Sequence, residues 1–262
     1  MTRPEPAVSV LMAAYDAAPT IRASVESALA QTDERVEVIV IDDGSAIPVS
    51  EVLAAIDDPR LRIVRHPHNR GLSVARNTGL RHARAPLLAQ LDADDLWDGD
   101  YLETVLPHFE DPSIGLVYTN ARLIGHPALQ EAYIQDPSVH PIDTFPKFAE
   151  QNPVPSLTAT MRAEAVRAVG GYAKWLRHAM DYQLYAKLIT GGWRFAYVDR
   201  CLASYRWPGP NRGMSWDTRT TELSELKLWL AFVARHPTVP GPRRQVRLRL
   251  VRELSRLRNG GE

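Results

Sequence analysis

The chain has 262 residues, 45% of them hydrophobic and 24% charged, with 31 Lys and Arg balancing 31 Asp and Glu. That is the makeup of a soluble globular protein, and a formal charge of zero gives no reason to expect a nucleic-acid partner. The single cysteine, Cys201, excludes an internal disulfide and a cysteine-rich zinc site.

Residues 1–15 lack the charged-then-apolar layout of a signal peptide. No apolar run approaches the ~18 to 20 residues of a membrane-spanning helix. The expected setting is a reducing cytoplasm, with any membrane contact peripheral, at the inner face. α/β folds commonly reach ~250 residues as one unit, so one domain with a short appendage is expected.

In chain order, "VSVLMAA" (8–14) reads as a buried strand, and Pro19 opens a helix with Ile21, Val25, Ala28 and Leu29 on one face. "VEVIVI" (36–41) is a second strand ending at "DDGS". A short helix is predicted over 52–56, a strand over 60–66, a helix over 70–83 and a strand over 86–91. Uniformly apolar strands alternating with helices predict a parallel sheet covered on both faces, with ligands bound outside the carboxyl ends of its strands. Both acidic clusters, Asp42-Asp43 and "LDADDLWDGD" (91–100), fall at such ends. "YLETVLPHF" (101–109) reads as a helix for which Asp98 and Asp100 are N-cap candidates. A strand is expected over 113–125, a loop at "QNPVPS" and a helix at "AMDYQLYAKLITGG". A strand pair around "WRFAYVD" and "CLASYRW" follows, then a helical tail.

Carboxylates crowded at a strand end repel one another and stay ionised only with compensation, for which Mn²⁺ or Mg²⁺ is the usual agent. Such a cation takes one or two carboxylates and completes its shell with substrate phosphates, so Asp92 and Asp94 also predict a phosphate-bearing ligand.

"VSVLMAAYDAAPTIRASVESALAQT", "VEVIVIDDGS", "NRGLSVARNTGL" and "LLAQLDADD", in this order and spacing, resemble the nucleotide-sugar half of family 2 glycosyltransferases. The resemblance implies the GT-A fold, a single Rossmann-like, doubly wound, mostly parallel α/β sheet with helices on both faces. It divides the chain into a GT-A domain over 1–218 and an Arg-rich helical tail over 219–262. Within the domain, about 1–110 would take the donor and about 111–218 the acceptor.

Residue by residue, the resemblance gives Ala13 and Tyr15 to the nucleobase, the ring of Tyr15 stacking on it. Asp43 goes to the uracil edge with support from Asp42, and Arg76 to the neighbourhood of the donor. "DAD", the family's DXD motif, gives Asp94 to the cation, Asp92 to the ribose, the sugar and the metal, and Ala93 to the donor pocket. Asp181 inherits the catalytic base, although the acid that should precede it is Met180. "YRWPGPNRGMS" resembles the family's closing loop but lacks its histidine, leaving Arg206 or Arg212 to neutralise phosphate.

Each residue has a plainer role open to it: Tyr15 as a core aromatic, Asp43 as part of a turn, Asp181 as a helix cap. His66 and His68 read as surface residues. In the tail, Val246, Leu250, Val251, Leu254 and Leu257 trace one face of 243–258 and arginines the other. That pattern suits docking on the domain, a dimer, or an anionic membrane surface.

The reading that follows is an inverting, metal-dependent transferase moving a sugar from a nucleoside diphosphate donor, a UDP-sugar, to the hydroxyl of a saccharide, lipid-linked or small-molecule acceptor. The alternatives are a sugar-phosphate nucleotidyltransferase, which normally carries a Gly-rich loop that "LMAAYDAAPT" lacks, and a non-catalytic sugar-nucleotide or carbohydrate-binding module.

Overall fold

The structure, a computed structural model, describes residues 5–125, 132–140, 144–150, 152, 154–206, 218–239 and 241–259. Strands β1 (Val8–Ala14) and β2 (Val36–Asp42) are apolar almost throughout because helices cover both of their faces. Along β1, Val8, Val10, Met12 and Ala14 enter one core while Leu11 enters the other. Along β2, Val36, Val38 and Val40 oppose Ile39 and Ile41 in the same period of two. Helix α1 (Ile21–Leu29) buries Ile21, Val25, Ala28 and Leu29, the face its spacing predicts.

Helix α2 (Val49–Val52) starts three residues earlier than predicted, and 53–55 form only a turn. The reason is Asp42, whose carboxylate accepts from Ser45 N at 2.9 Å and from Val49 N at 3.1 Å, anchoring the helix start at Val49. Strand β3 (Leu61–Arg65), helix α3 (Leu72–His82) and strand β4 (Leu87–Gln90) follow their predicted spans within two residues. The two-residue strand β5 (Leu96–Trp97) precedes helix α4 (Tyr101–Val105). The predicted helix 101–109 tightens to a 3₁₀ turn over Leu106–Glu110, where Pro107 has no N–H to continue the α pattern.

The second half holds strand β6 (Ile114–Ile124), helix α5 (Phe145–Glu150), strand β7 (Thr160–Arg162), and helices α6 (Ala163–Ala168) and α7 (Met180–Thr190). Strand β8 (Arg194–Arg206) is continuous, which corrects the expected strand pair. Its partner β6 runs parallel to it, and the register jumps from Thr119↔Val198 to Asn120↔Cys201. The polar Asp199-Arg200 step that reads as a turn is therefore a bulge. Helices α8 (Thr218–Arg235) and α9 (Pro242–Asn259) form a hairpin.

Among the described residues the sheet has eight strands in the order β3-β2-β1-β4-β7-β6-β8-β5. The first four are mutually parallel, as predicted. Beyond β4 the sheet is mixed, with β7 antiparallel to both of its neighbours and β5 antiparallel to β8. After β2 and β3 extend one edge, the chain returns to place β4 on the other side of β1. The switch in strand order, and the crevice it opens, therefore lies at the carboxyl ends of β1 and β4. Tyr15 leaves one of those ends and Leu91–Asp95 the other.

Candidate active site

The exit of β1 is tied to the exit of β2. Asp16, at a left-handed φ of 51°, donates its N–H to Ser45 Oγ (3.1 Å) and accepts Ala46 N–H on its carboxylate (2.9 Å). This bracing leaves Tyr15 54% exposed over the crevice, so it is not a core aromatic, while Ala13 behind it is half-buried. The "DDGS" turn requires its glycine. Gly44 has a φ of +81°, and a Cβ there would lie 2.6–2.8 Å from the backbone of His68 and Asn69.

Asp42 and Asp43 both turn inward. Besides its two amide bonds, Asp42 accepts from Arg65 Nη1 at 2.6 Å, and these donors hold its carboxyl below the usual range against the upward push of burial. Asp43 is 3% exposed and accepts from the amides of Arg70 and Gly71 (2.8–3.1 Å), with His66 Nδ1 at 2.6 Å. His66 Nε2 in turn lies 3.0 Å from Thr78 Oγ1. His66 is thus a buried bracket between β3 and α3, not the surface residue expected, whereas His68 is exposed. Its signal was a polar residue between an apolar strand and a Pro, which is ambiguous without the fold.

The second wall is acidic. Asp92 receives Arg76 Nη2 at 2.7 Å, and Ser156 Oγ lies 3.4 Å from its other oxygen. Arg76 is 4% exposed, with its guanidinium carbon 5.7 Å from the centroid of the Tyr172 ring. Burial works against its charge, and the carboxylates of Asp92 and Asp181, with Tyr172, restore it. Arg206 closes the acidic turn from β8, its N–H donating to Asp95 Oδ1 (2.8 Å) and its Nε to Asp94 O (2.9 Å). Ala93 is buried between the two aspartates of "DAD".

Asp98 and Asp100 do not cap α4 with their side chains. Asp98 pairs with Arg122 (2.6 Å) and Asp100 with Arg200 (2.7 Å), because a guanidinium outcompetes an amide for an ionised carboxylate. Arg212, Trp207, Ser215 and Trp216 lie outside the described residues.

Asp95, three positions before Asp98, is the acid that spacing alone did not single out. It is 1% exposed, its Oδ2 has no partner among the described residues, and burial together with Asp92 and Asp94 pushes its carboxyl up to about 9. A buried carboxyl with an orphaned oxygen, crowded by two further acids that raise its pKa, fits a site that a divalent cation would relieve. Among the described residues no three acidic, His or Cys side chains form a closed cage. One or two carboxylates completed by phosphate oxygens is the arrangement this donor set supports.

Asp181 lies within electrostatic reach of both Arg76 and Asp92. Helix α7 has its N-cap at Ala179, held at a left-handed φ of 58°, with no side-chain cap bond. Asp181 is in the first turn, not at the cap, and accepts Tyr182 N–H at 2.8 Å. Burial raises its pKa, while Arg76 and the Tyr182 amide oppose the rise. A left-handed alanine directly before Met180-Asp181 is a strained conformation that the surrounding packing must enforce.

The sequence profile described as Glycosyl transferase family 2 matches residues 9–169. Succinoglycan biosynthesis protein ExoO of Rhizobium meliloti is 45% identical over 101 residues, which cover 38% of this chain and 29% of ExoO. This chain therefore aligns with less than a third of that relative's length. Mannosyltransferase PcManGT from Pyrobaculum calidifontis, solved with GDP-Man and Mn²⁺, superposes with a TM-score of 0.70 at 22% identity, covering 93% of this chain and 68% of that one. Residues 1–349 of S. aureus TarS in complex with UDP give a TM-score of 0.71 at 15% identity, covering 95% and 72%. At these identities the structural likeness speaks to the fold, which is GT-A. With strands, switch-point crevice, acidic turn and profile in agreement, the chain belongs to glycosyl transferase family 2.

Proposed function

We propose that this chain moves one sugar, with inversion at the anomeric carbon, from a UDP-sugar to an acceptor hydroxyl. The observation that carries the reading is Arg76. One buried guanidinium pairs with Asp92 of the acidic turn and is within electrostatic reach of Asp181. A single displacement needs a base on one side of the reacting carbon and a stabilised leaving group on the other.

Asp181 accepts the acceptor's proton as its oxygen attacks, and Arg76 keeps that carboxylate ionised against its burial. Asp94, with Asp92, would hold Mn²⁺ or Mg²⁺, which when bound supplies positive charge at the leaving diphosphate. Arg206, fixed to the acidic turn, neutralises phosphate, and the closing-loop resemblance gives Arg212 the same role. Tyr15 stacks on the base beside Ala13. Asp42 and Asp43, engaged by their own loops, shape the base pocket by bracing it, and Ala93 keeps the donor wall close-packed.

UDP as the nucleotide is supported by the TarS complex, whereas PcManGT holds GDP-Man with Mn²⁺. Thermal-shift measurements with UDP-, GDP- and dTDP-sugars decide between them, since a ligand that binds only the folded state raises the melting point. The expected result is a rise with UDP-sugars that requires Mn²⁺. An equal rise in EDTA would exclude the metal role, and a rise confined to GDP-sugars the uridine assignment.

A further inference from the structure

Helix α8 packs on the core through Leu228, Trp229 and Phe232, whereas α9 is packed by its more polar side. Helix α9 faces inward with Gln245, 5% exposed, and with Arg249, which pairs with Glu225 of α8 and contacts Gln245. Among the described residues of α9, Val246 packs against the core as a partly buried apolar side chain. Leu248, Leu250 and Val251 stay 42%, 42% and 55% exposed, beside the exposed Arg243 and Arg247. Leu230 of α8 is also 48% exposed. A helix that buries a glutamine and an arginine while presenting leucines to solvent has an unused apolar surface.

Charge identifies what covers it. Pro242–Asn259 carries seven arginines and one glutamate, so its complement is both apolar and anionic. A second copy of the chain meets the first condition and fails the second, because a symmetric contact through α9 would set one arginine cluster against another. An anionic lipid surface meets both: leucine and valine side chains enter the headgroup boundary, and arginines face the phosphates.

The hairpin is also rooted beside the candidate base. Tyr182, next to Asp181, donates its hydroxyl to Phe148 O and Ala149 O of α5 (2.9 and 3.0 Å) and meets Trp229 of α8 edge-on at 5.3 Å. Ala149 in turn abuts Gly241 at the start of α9, where an added Cβ would lie 3.1 Å away.

We propose that the outward face of α9 docks the protein on an anionic phospholipid surface, with the Asp181 side of the site held next to the bilayer. That the acceptor is presented from this surface rests on the transferase reading above; the docking itself does not. The test is flotation of the full chain with vesicles of phosphatidylcholine, with and without phosphatidylglycerol, and with no donor or acceptor present. Thus a failed transferase reading leaves its outcome untouched. The expected result is capture by the anionic vesicles alone, weakened at least about tenfold by Arg243→Glu with Arg247→Glu, and also weakened by Leu248→Ser with Leu250→Ser. Melting curves should be unchanged, since all four side chains are exposed. Absence of capture, equal capture by neutral vesicles, or a dimer in light scattering that these variants dissolve would each overturn the proposal.

Discussion

Asp181 and Arg76 are where the chemistry is most sharply tested. A general base acts in the transition state, so Asp181→Asn should lower the transfer rate by about 10² to 10⁴ and leave donor affinity nearly unchanged. The cap is Ala179, and the Tyr182 N–H that Asp181 accepts can be accepted by asparagine as well, so the melting point should barely move. The pH dependence has a definite sign. Burial raises the Asp181 pKa and Arg76 opposes that rise, so the acidic limb of kcat/KM should lie above the normal carboxylate range. In Arg76→Met the limb should move higher still, because the charge that favours the ionised form is gone; a limb that stays in place would remove Arg76 from that role. From the sequence, Asp181 was reached only through a resemblance that its neighbour Met180 breaks. The strained Ala179 and the buried guanidinium that support it have no one-dimensional signature.

At the scale of elements, the turns after β2 and β4 set the site, and both can be probed. Gly44→Ala forces a side chain into a left-handed conformation and against backbone 2.6–2.8 Å away. It should cost about 2 to 4 kcal/mol, seen as a lower melting point, with Gly44→Asn costing less of the conformational part than Gly44→Ala. In the acidic turn, Asp95 is pushed up to about 9 by burial and by its neighbours Asp92 and Asp94. It is therefore protonated at pH 7.5, and a cation with its diphosphate should displace that proton. Calorimetric titration of UDP with Mn²⁺ in buffers of different ionisation enthalpy should show release of about one proton, absent in Asp95→Asn, and affinity should strengthen as pH rises toward 9. A buffer-independent enthalpy would mean that Asp95 is not coupled to the ligand. The parallel strands were legible because a doubly covered strand is apolar on both faces. The bulge at Asp199-Arg200 was not, because a polar pair inside a strand and a polar turn look alike until the register with β6 is known.

Over the whole molecule, the first half was readable because four short segments occur in order at the ends of parallel strands. The half beyond β4 was less so, since its mixed sheet is assembled from contacts between distant segments, such as β7 between β4 and β6. There the sequence supplies the acceptor side only as an irregular middle. No helix among the described residues is long and apolar enough to cross a membrane. The central claim is that the two halves meet in one inverting displacement that is assisted by a divalent cation. The measurement that tests it most directly is time-resolved proton NMR of α-linked UDP-sugars incubated with the chain and Mn²⁺, water serving as the default acceptor. The account predicts slow release of UDP with the β-anomer of the sugar formed first, abolished by EDTA and by Asp94→Asn and strongly slowed by Asp181→Asn. First appearance of the α-anomer, or UDP release undiminished in EDTA or in Asp181→Asn, would contradict it.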